Sequence, residues 1–153
     1  MRLLVVVVGK DQKDTLKEAA HDYLRRTHSR LKAETVNIRE SKRRDNSELA
    51  SEEEGKEILR VTEKCYRVAL DVKGKHLSSP ELAYEIQKLL VEQKQPLALI
   101  IGGASGLSRS VLKACHAKWS LSELTLPHRL AFLVLAEQIY RAGEILRGGP
   151  YHK

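Results

Sequence analysis

Unbroken apolar runs along the chain alternate with amphipathic stretches, and this pattern predicts strands and helices in turn. Residues 3–8 form a run of leucine and valine with no polar break, typical of a strand buried on both faces. Residues 97–101 have the same character. In residues 33–38, Thr35 and Asn37 alternate with apolar neighbours, which predicts a more exposed strand. Residues 66–72 complete the predicted set of long strands.

Apolar residues at helical spacing predict the segments between the strands. Ser47 and Ser79 are the predicted N-caps of two helices, the second of which has Pro80 in its first turn and ends before Pro96. Ser108 is the predicted cap of a third helix. The predicted helices span residues 14–28, 47 to about 64, 79 to about 94, 108–116 and 128–146. Residues 39–46 are predicted to be a surface loop, and residues 119–126 a short strand with loop.

This order of elements predicts an α/β fold, with helices on a mostly parallel sheet. The 153 residues suit one domain, residues 1–153. Ligands in such folds bind beyond the carboxyl ends of the strands. A site is therefore expected in the loops after Val72 and Ile101 and in residues 121–128.

Charge is concentrated in the last third of the chain. The whole sequence has 27 Lys and Arg against 20 Asp and Glu, and from Lys94 onward eight basic residues accompany three acidic ones. Such a surplus favours a polyanionic partner, nucleic acid before membrane, although ordinary solubility charge explains the count equally well.

Composition also sets the expected compartment. No apolar run is long enough to span a bilayer, and the apolar start lacks a cleavage site, so we interpret it as a buried strand rather than a signal peptide. The two cysteines, Cys65 and Cys115, form neither a metal cluster nor a disulfide framework. We therefore expect a cytoplasmic protein without a structural metal.

Two segments have the composition of ligand loops. Glycines at 102, 103 and 106 directly follow a buried strand, where they allow a ligand to approach the backbone; the alternative is a sharp strand-to-helix turn. In residues 120–128, leucines alternate with Ser and Thr before Pro127 and His128. Such a segment offers apolar walls and backbone groups to an adenine ring, and the alternative is an edge strand.

The candidate chemistry outside these loops is sparse. His128 begins the last predicted helix, where the macrodipole favours a neutral, proton-accepting imidazole, and His152 lies in the basic tail. Glu137 and Arg141 are four residues apart in that helix. They either pair with each other or leave the guanidinium free for a phosphate or carboxylate, and the sequence does not choose.

Taken in order, four motifs closely resemble the ribosomal large-subunit methyltransferase H family, in the SPOUT class of RNA methyltransferases. The motifs are Gly-Gly-x-x-Gly-Leu-Ser at 102–108, Trp-Ser-Leu-Ser-x-Leu-Thr-Leu-Pro-His at 119–128, Glu-Gln-Ile-Tyr-Arg-Ala at 137–142 and Pro-Tyr-His-Lys at 150–153. The resemblance covers essentially the whole chain. It implies a C-terminal trefoil knot, a homodimer, S-adenosyl-L-methionine as cofactor, and methylation at N3 of a pseudouridine in large-subunit ribosomal RNA on the assembled ribosome.

The resemblance also implies which residues act. The expected cofactor site comprises Leu70, Gly102, Gly103, Ser122, Glu123, Leu124, Thr125, Leu126 and Pro127. His152 is the first candidate for a base or an anion-stabilising group at the acceptor nitrogen, and Tyr151 and Arg141 are expected to place the nucleotide. His128 is the second candidate. Expected phosphate contacts are Lys153, Arg147 and the basic run 42–44, although a solvated loop explains that run equally well.

The chain departs from the family pattern at three positions. Ala104 and Ser105 stand where the family usually has Pro-Glu, and Phe132 stands where it often has Arg. These departures keep two alternatives open: an RNA- or ribosome-binding domain without catalysis, and a SPOUT methyltransferase with another RNA target.

Overall fold

The five strands of the described residues lie in one parallel sheet. The structure is a computed structural model, which describes residues 2–9, 13–43 and 45–153. The strands are β1 (Leu3–Gly9), β2 (Ala33–Arg39), β3 (Tyr66–His76), β4 (Leu97–Ile101) and β5 (Ala117–Ser120). Their order across the sheet is β2-β1-β4-β3-β5, and every described pair is parallel. The predicted α/β fold class is therefore confirmed.

The helices cover both faces of the sheet because alternate residues of the central strands point to opposite sides. They are α1 (Thr15–Arg26), α2 (Ser47–Val61), α3 (Ser79–Glu92), α4 (Arg109–Ala114) and α5 (His128–Leu146). Leu3, Val5 and Val7 face one core with α1, α3 and α5. Val6 and Val8 face the other core, with α2 and α4. The apolar runs of β1 and β4 thus serve two cores at once.

The predicted bounds of β4 and α5 agree with the structure, while two predicted caps are wrong by one residue. The side chain that caps α2 belongs to Asn46, which accepts a hydrogen bond from the Leu49 amide at 3.1 Å. The cap of α3 is Ser78, which accepts from the Glu81 amide at 3.2 Å. Ser47 and Ser79 are the first residues of those helices instead. The Ser108 cap is confirmed, with the Val111 amide 3.2 Å from its hydroxyl.

Strand β3 is longer than predicted and is interrupted in its pairing with β5. Both Leu70 and Lys75 pair with Trp119, so the residues between them form an outward excursion from the ladder. Gly74 closes this excursion, because a Cβ at that position would lie 2.6 Å from the backbone carbonyl carbon of Lys118. The excursion begins at the carboxyl end of β4, where the candidate site lies.

Candidate active site

A cavity of about 190 Å³ opens at the carboxyl ends of β3, β4 and β5. Its walls come from the β3 excursion, the glycine loop after β4 and the segment that leads into α5. The lining residues are Leu70, Asp71, Val72, Ile101, Gly102, Gly103, Gly106, Leu107, Leu121, Ser122, Leu124, Leu126, His128 and Ala131. Loops that are far apart in the sequence thus meet at one edge of the parallel sheet, as expected for this fold class.

The glycine loop forms a wall that has no space for side chains. A Cβ at Gly102 would lie 2.8 Å from the carbonyl carbon of Gly106, and a Cβ at Gly103 would lie 2.8 Å from Cγ1 of Val8. Gly106 has a φ of 73°, which a residue with a side chain rarely adopts. The Gly106 amide donates to the Gly103 carbonyl at 3.0 Å and closes the loop. A ligand in the cavity therefore contacts bare backbone on this side.

Hydrogen bonds of two serine hydroxyls shape the opposite wall of the cavity. Ser120 Oγ donates to the Ser122 carbonyl at 3.0 Å, and Ser122 Oγ accepts from the Leu124 amide at 2.9 Å. These local bonds bend the segment after β5, so that Leu121 and Leu126 face the cavity. Leu124 also lines it, with 73% of its surface exposed. The alternation of leucine and hydroxyl residues thus builds an apolar wall rather than an extended edge strand.

The structure brings most of the expected cofactor residues to this cavity. Leu70, Gly102, Gly103, Ser122, Leu124 and Leu126 line it. Glu123, Thr125 and Pro127 lie in the same segment but are exposed, and they are not among the described lining residues. A role for these three in cofactor binding stays a prediction.

His128 stands between the cavity and a second one of about 260 Å³ at the ends of β1 and β2. Its Nε2 is 3.8 Å from the point where a Cβ on Gly9 would lie. The neighbouring Arg129 is held by Asp14, the cap of α1, at 2.8 Å. The first turn of α5 is thus fixed to α1, which holds the His128 ring at the cavity wall.

The residues of the C-terminal tail meet on the far half of α5 around Glu137. One carboxylate oxygen of Glu137 accepts from Arg141 Nη2 at 2.6 Å and from the Tyr151 hydroxyl at 3.0 Å. Arg141 Nη1 lies 3.1 Å from Nδ1 of His152. The guanidinium also lies over the Tyr151 ring, 4.8 Å from its centre. Arg141 is therefore paired with Glu137, and the same guanidinium also contacts the two tail side chains.

This arrangement fixes the proton of His152 and the ionisation of Tyr151. A guanidinium only donates hydrogen bonds, so Nδ1 of His152 is the acceptor, and a neutral ring carries its hydrogen on Nε2. Burial, together with the hydrogen bond to the Glu137 carboxylate, raises the pKa of Tyr151 to about 12. His152 therefore presents its Nε2–H, whereas the Tyr151 hydroxyl keeps its hydrogen at neutral pH and donates it to Glu137.

A turn at the end of α5 folds the tail back onto the helix. The Gly148 amide donates to the Ile145 carbonyl at 3.1 Å, and the Gly149 amide donates to the Glu144 carbonyl at 2.8 Å. With Gly148 at a φ of 72°, these bonds form a Schellman motif, which reverses the chain after a helix. The Gly148-Gly149 pair thus ends α5 and turns the tail back toward the helix.

The tail cluster (Glu137, Arg141, Tyr151 and His152) lies far from the cavity of its own chain. Arg141 follows His128 by 13 residues in α5, a distance of about 20 Å along the helix axis. None of the four residues is among the described residues that line the cavity. The candidate residues therefore form two groups, one at each half of α5.

Sequence reasoning missed several residues of both groups. Asp71 and Val72 line the cavity because β3 leaves its ladder after Leu70, and no pattern in the sequence marks this excursion. Glu137, at the centre of the tail cluster, was considered only as a partner for Arg141. Its position four residues before an arginine and within a motif that continues into the tail was the available signal.

The expected phosphate contacts differ in their surroundings. Arg147 pairs with Glu144, and Arg43 pairs with Glu53 at 3.3 Å, so both guanidinium groups have a carboxylate partner. Lys42 and Lys153 are exposed. Arg44 lies outside the described residues. Phosphate binding by these groups stays a prediction.

The positions that depart from the family pattern lie outside the cavity wall. Ala104 is exposed and Ser105 half-buried, and neither is among the described lining residues. Phe132 is 3% exposed in the core beside α1, with its ring edge-on to His21. Neither Ala104, Ser105 nor Phe132 therefore forms part of the glycine wall or of the leucine wall of this cavity.

Within the described ranges, no helix is long and apolar enough to cross a membrane. The same ranges contain no group of three or more His, Cys, Asp or Glu side chains placed to hold a metal ion.

Comparisons with known proteins identify relatives over the full chain. Residues 1–152 match a family model described as a predicted SPOUT methyltransferase. The ribosomal RNA large subunit methyltransferase H of Carboxydothermus hydrogenoformans is 39% identical over 159 residues, and that of Clostridium novyi is 40% identical; each alignment covers 100% of both chains. A solved probable methylase family protein from Haemophilus influenzae has a TM-score of 0.57 at 15% identity, over 99% of this chain and 70% of that one. At that identity the solved structure shows the fold alone.

Proposed function

Because the chain belongs to the SPOUT methyltransferase family, and within it to the ribosomal RNA large subunit methyltransferase H family of RNA methyltransferases, we propose that it methylates N3 of a pseudouridine in large-subunit ribosomal RNA. The methyl donor is S-adenosyl-L-methionine. The observation that carries the proposal is the cavity with a bare-backbone wall at the carboxyl ends of β3, β4 and β5. The whole chain, residues 1–153, acts as one catalytic domain.

The cavity has the features that this cofactor needs. The glycine wall gives access to backbone groups, and Leu121 and Leu126 offer apolar surface to an adenine ring. The Asp71 carboxylate at the rim favours a ligand with positive charge. When bound, the cofactor supplies an electrophilic methyl group on a sulfonium. The protein then has to orient the acceptor nitrogen toward that methyl group and keep it there.

The tail cluster suits the acceptor side of the reaction. The acceptor N3 carries a proton, so negative charge develops on the ring as this proton leaves. With Nδ1 occupied by Arg141, His152 presents Nε2–H, which fits an anion-stabilising role better than that of a base. The Tyr151 hydroxyl oxygen, whose hydrogen goes to Glu137, is left to accept a hydrogen bond from the nucleotide. His128, at the cavity wall, is then the candidate for accepting the proton.

A homodimer brings the two groups together. Within one chain Arg141 lies about 15 Å along α5 from Ala131, the last residue of this helix that lines the cavity, and no residue of the tail cluster lines it. The outer face of α5 carries Leu130 and Val134 in line with Glu137 and Arg141; all four are half-buried, and the two apolar ones belong to neither described core. We place a second copy on this stripe, so that the tail of each chain completes the cavity of the other.

The proposed substrate determines where in the cell we expect the protein to act. The basic surplus of the last third of the chain suits ribosomal RNA, so we place the protein in the cytoplasm with the assembled ribosome. Phosphate contacts there position the enzyme, whereas the tail cluster and the cavity select the nucleotide. The trefoil knot implied by the family resemblance is part of this proposal, with the loops around the cavity as its crossing segments.

Mass spectrometry of large-subunit ribosomal RNA from a deletion strain tests the activity. We expect one methylpseudouridine to be lost on deletion and restored by the intact gene. Complementation with His152→Ala should restore little methylation, although calorimetry should find the affinity for S-adenosyl-L-methionine unchanged. An intact methylation pattern in the deletion strain refutes the substrate. No binding of the cofactor by the wild-type protein favours the alternative of an RNA-binding domain without catalysis.

A further inference from the structure

A buried carboxyl group with an unsatisfied oxygen lies behind the glycine wall. Glu54 in α2 is 4% exposed. Its Oε2 accepts a hydrogen bond from the Ser41 amide at 2.8 Å. Its Oε1 is buried and has no hydrogen-bond partner among the described residues. Within those residues, no Lys, Arg or His side chain forms an ion pair with it. Such a group is costly as an anion, so it calls for an explanation.

The free oxygen is directed at the cofactor loop. A Cβ on Gly103 would lie 3.6 Å from Glu54 Oε1 and 2.8 Å from Val8 Cγ1. Glu54 and Val8 therefore lie directly behind Gly103 on its inner side, while Gly103 lines the cavity on its other side. Gly103 thus both lines the cavity and has Glu54 Oε1 near its Cβ position.

The same carboxyl group also holds the basic loop that follows β2. The Ser41 amide donates to Glu54, and the Ser41 hydroxyl accepts from the Arg43 amide at 3.1 Å. Arg43 Nε reaches Glu53, the neighbour of Glu54, at 3.3 Å. One buried side chain thus lies behind the proposed cofactor loop and is hydrogen-bonded to a loop proposed to meet RNA phosphates.

The surroundings of Glu54 favour its neutral form. Burial raises the pKa of Glu54, the Ser41 amide acts against this, and the negative charges of Glu40 and Glu53 raise it further. These are the charged groups that face it from the loop after β2 and from α2; Val8 of β1 and the glycine loop bring no charge. Burying a neutral carboxyl group with one unpartnered oxygen costs far less free energy than burying an unpaired carboxylate.

We propose that Glu54 is a positioning residue that supports the Gly102–Gly106 wall as a neutral carboxylic acid, and that its ionisation weakens cofactor binding. The inference rests on the proposed cofactor site. An uncompensated buried charge draws water or moves outward, and Gly103 cannot keep its place when its support moves. By linkage, a bound cofactor must in turn hold the proton on Glu54 more tightly.

Calorimetric titration of the full-length protein with S-adenosyl-L-methionine, from about pH 5 to about pH 9, tests this inference. Glu54→Gln keeps a neutral side chain of the same shape, and Glu48→Gln is the control on an exposed glutamate of the same helix. We expect the wild type and Glu48→Gln to lose about fivefold more affinity than Glu54→Gln over this range. Comparing variants at each pH cancels the titration of the cofactor itself.

A direct measurement covers the case in which Glu54→Gln does not fold. Carbon NMR of the wild-type protein follows the Glu54 carboxyl through the same range, with assignment from the α2 sequence. We expect its pKa to lie above the ordinary glutamate range and to rise when the cofactor is added. A pKa in or below the ordinary range, or one that the cofactor does not move, overturns the inference. So do parallel pH profiles for the wild type and Glu54→Gln. Those outcomes leave the proposed function intact, whereas a wild type that binds no cofactor at any pH overturns both.

Discussion

Mixed dimers give the sharpest test of a site shared between two chains. One partner carries Gly103→Val, whose new methyl groups meet the buried Val8 and are expected to push the glycine loop into the cavity. The other carries His152→Ala, which removes the donor from the tail cluster. If the tail of each chain serves the cavity of its partner, one of the two sites in a mixed dimer keeps both an intact cavity and an intact tail.

The expected recovery follows from the symmetry of the dimer. Each variant alone is expected to be inactive, because both of its sites are damaged. A purified mixed dimer should have about half the wild-type activity, and an equal statistical mixture of the two chains about one quarter. If each chain instead used its own tail, every site would contain one damaged component, and no activity would return. We expect recovery because no residue of the tail cluster lines the cavity of its own chain, and Arg141 lies about 15 Å along α5 beyond Ala131.

The assay is methyl transfer from labelled S-adenosyl-L-methionine to ribosomes, with the two chains co-expressed under different affinity tags. Thermal melting checks that Gly103→Val folds. Leu124→Arg is a second way to block the cavity from an exposed position that bears little of the core. A folded, tagged mixed dimer without activity, or a wild-type protein that is monomeric by sedimentation, refutes the shared site.

Four further predictions concern single positions. Gly103→Val should lower cofactor affinity at least about tenfold by calorimetry, since overpacking against a core valine costs about 1–3 kcal/mol; normal affinity in the folded variant contradicts the assignment of the wall. Glu137→Gln should reduce turnover on ribosomes more than it reduces cofactor affinity, because it frees the tail from α5; equal losses would indicate a general effect on folding. Gly74→Ala should lower the free energy of unfolding in urea by about 1–3 kcal/mol, because its Cβ would lie 2.6 Å from the carbonyl carbon of Lys118. An unchanged free energy of unfolding would mean that the backbone of the β3 excursion shifts to make room for the Cβ. The pKa of Tyr151 is raised to about 12, so the folded protein holds the phenolic proton more tightly than the unfolded chain does. The stability that this proton contributes is present below about pH 10 and is lost as pH rises toward about 12. In a phenolate absorbance titration, the wild type and Tyr151→Phe should differ only near pH 12.

The elements that the sequence predicts best are those whose surroundings are uniform. β4 is apolar at every position, so burial on both faces follows from composition alone. α5 begins directly after Pro127 and ends before a glycine pair, and both of its bounds were predicted. Where the structure differs, the local signal was ambiguous: Ser78 and Ser79 can each cap a helix. Glu81 decides between them, because its amide donates to the Ser78 hydroxyl at 3.2 Å and its carboxylate accepts from the same hydroxyl at 3.0 Å.

The candidate site was predictable in part, for a physical reason. The glycine loop and the leucine wall are contiguous in the sequence, so their motifs could be recognised. The excursion of β3 depends on the backbone of Lys118 and Trp119, which lies more than forty residues further along, and no local pattern encodes it. The separation of His128 from His152 is likewise a property of helix length and of the turn at Gly148, not of residue type.

The length of α5 sets the distance between His128 at the cavity and the tail cluster of the same chain. Removing a single residue from the middle of this helix would shorten it by about 1.5 Å and rotate one end against the other by about 100°. Such a deletion would turn the Arg141 side of the helix away from its present direction while leaving the sheet untouched. In the proposed shared site, the number of residues between His128 and Arg141 is therefore expected to matter more than the length of the surface loops.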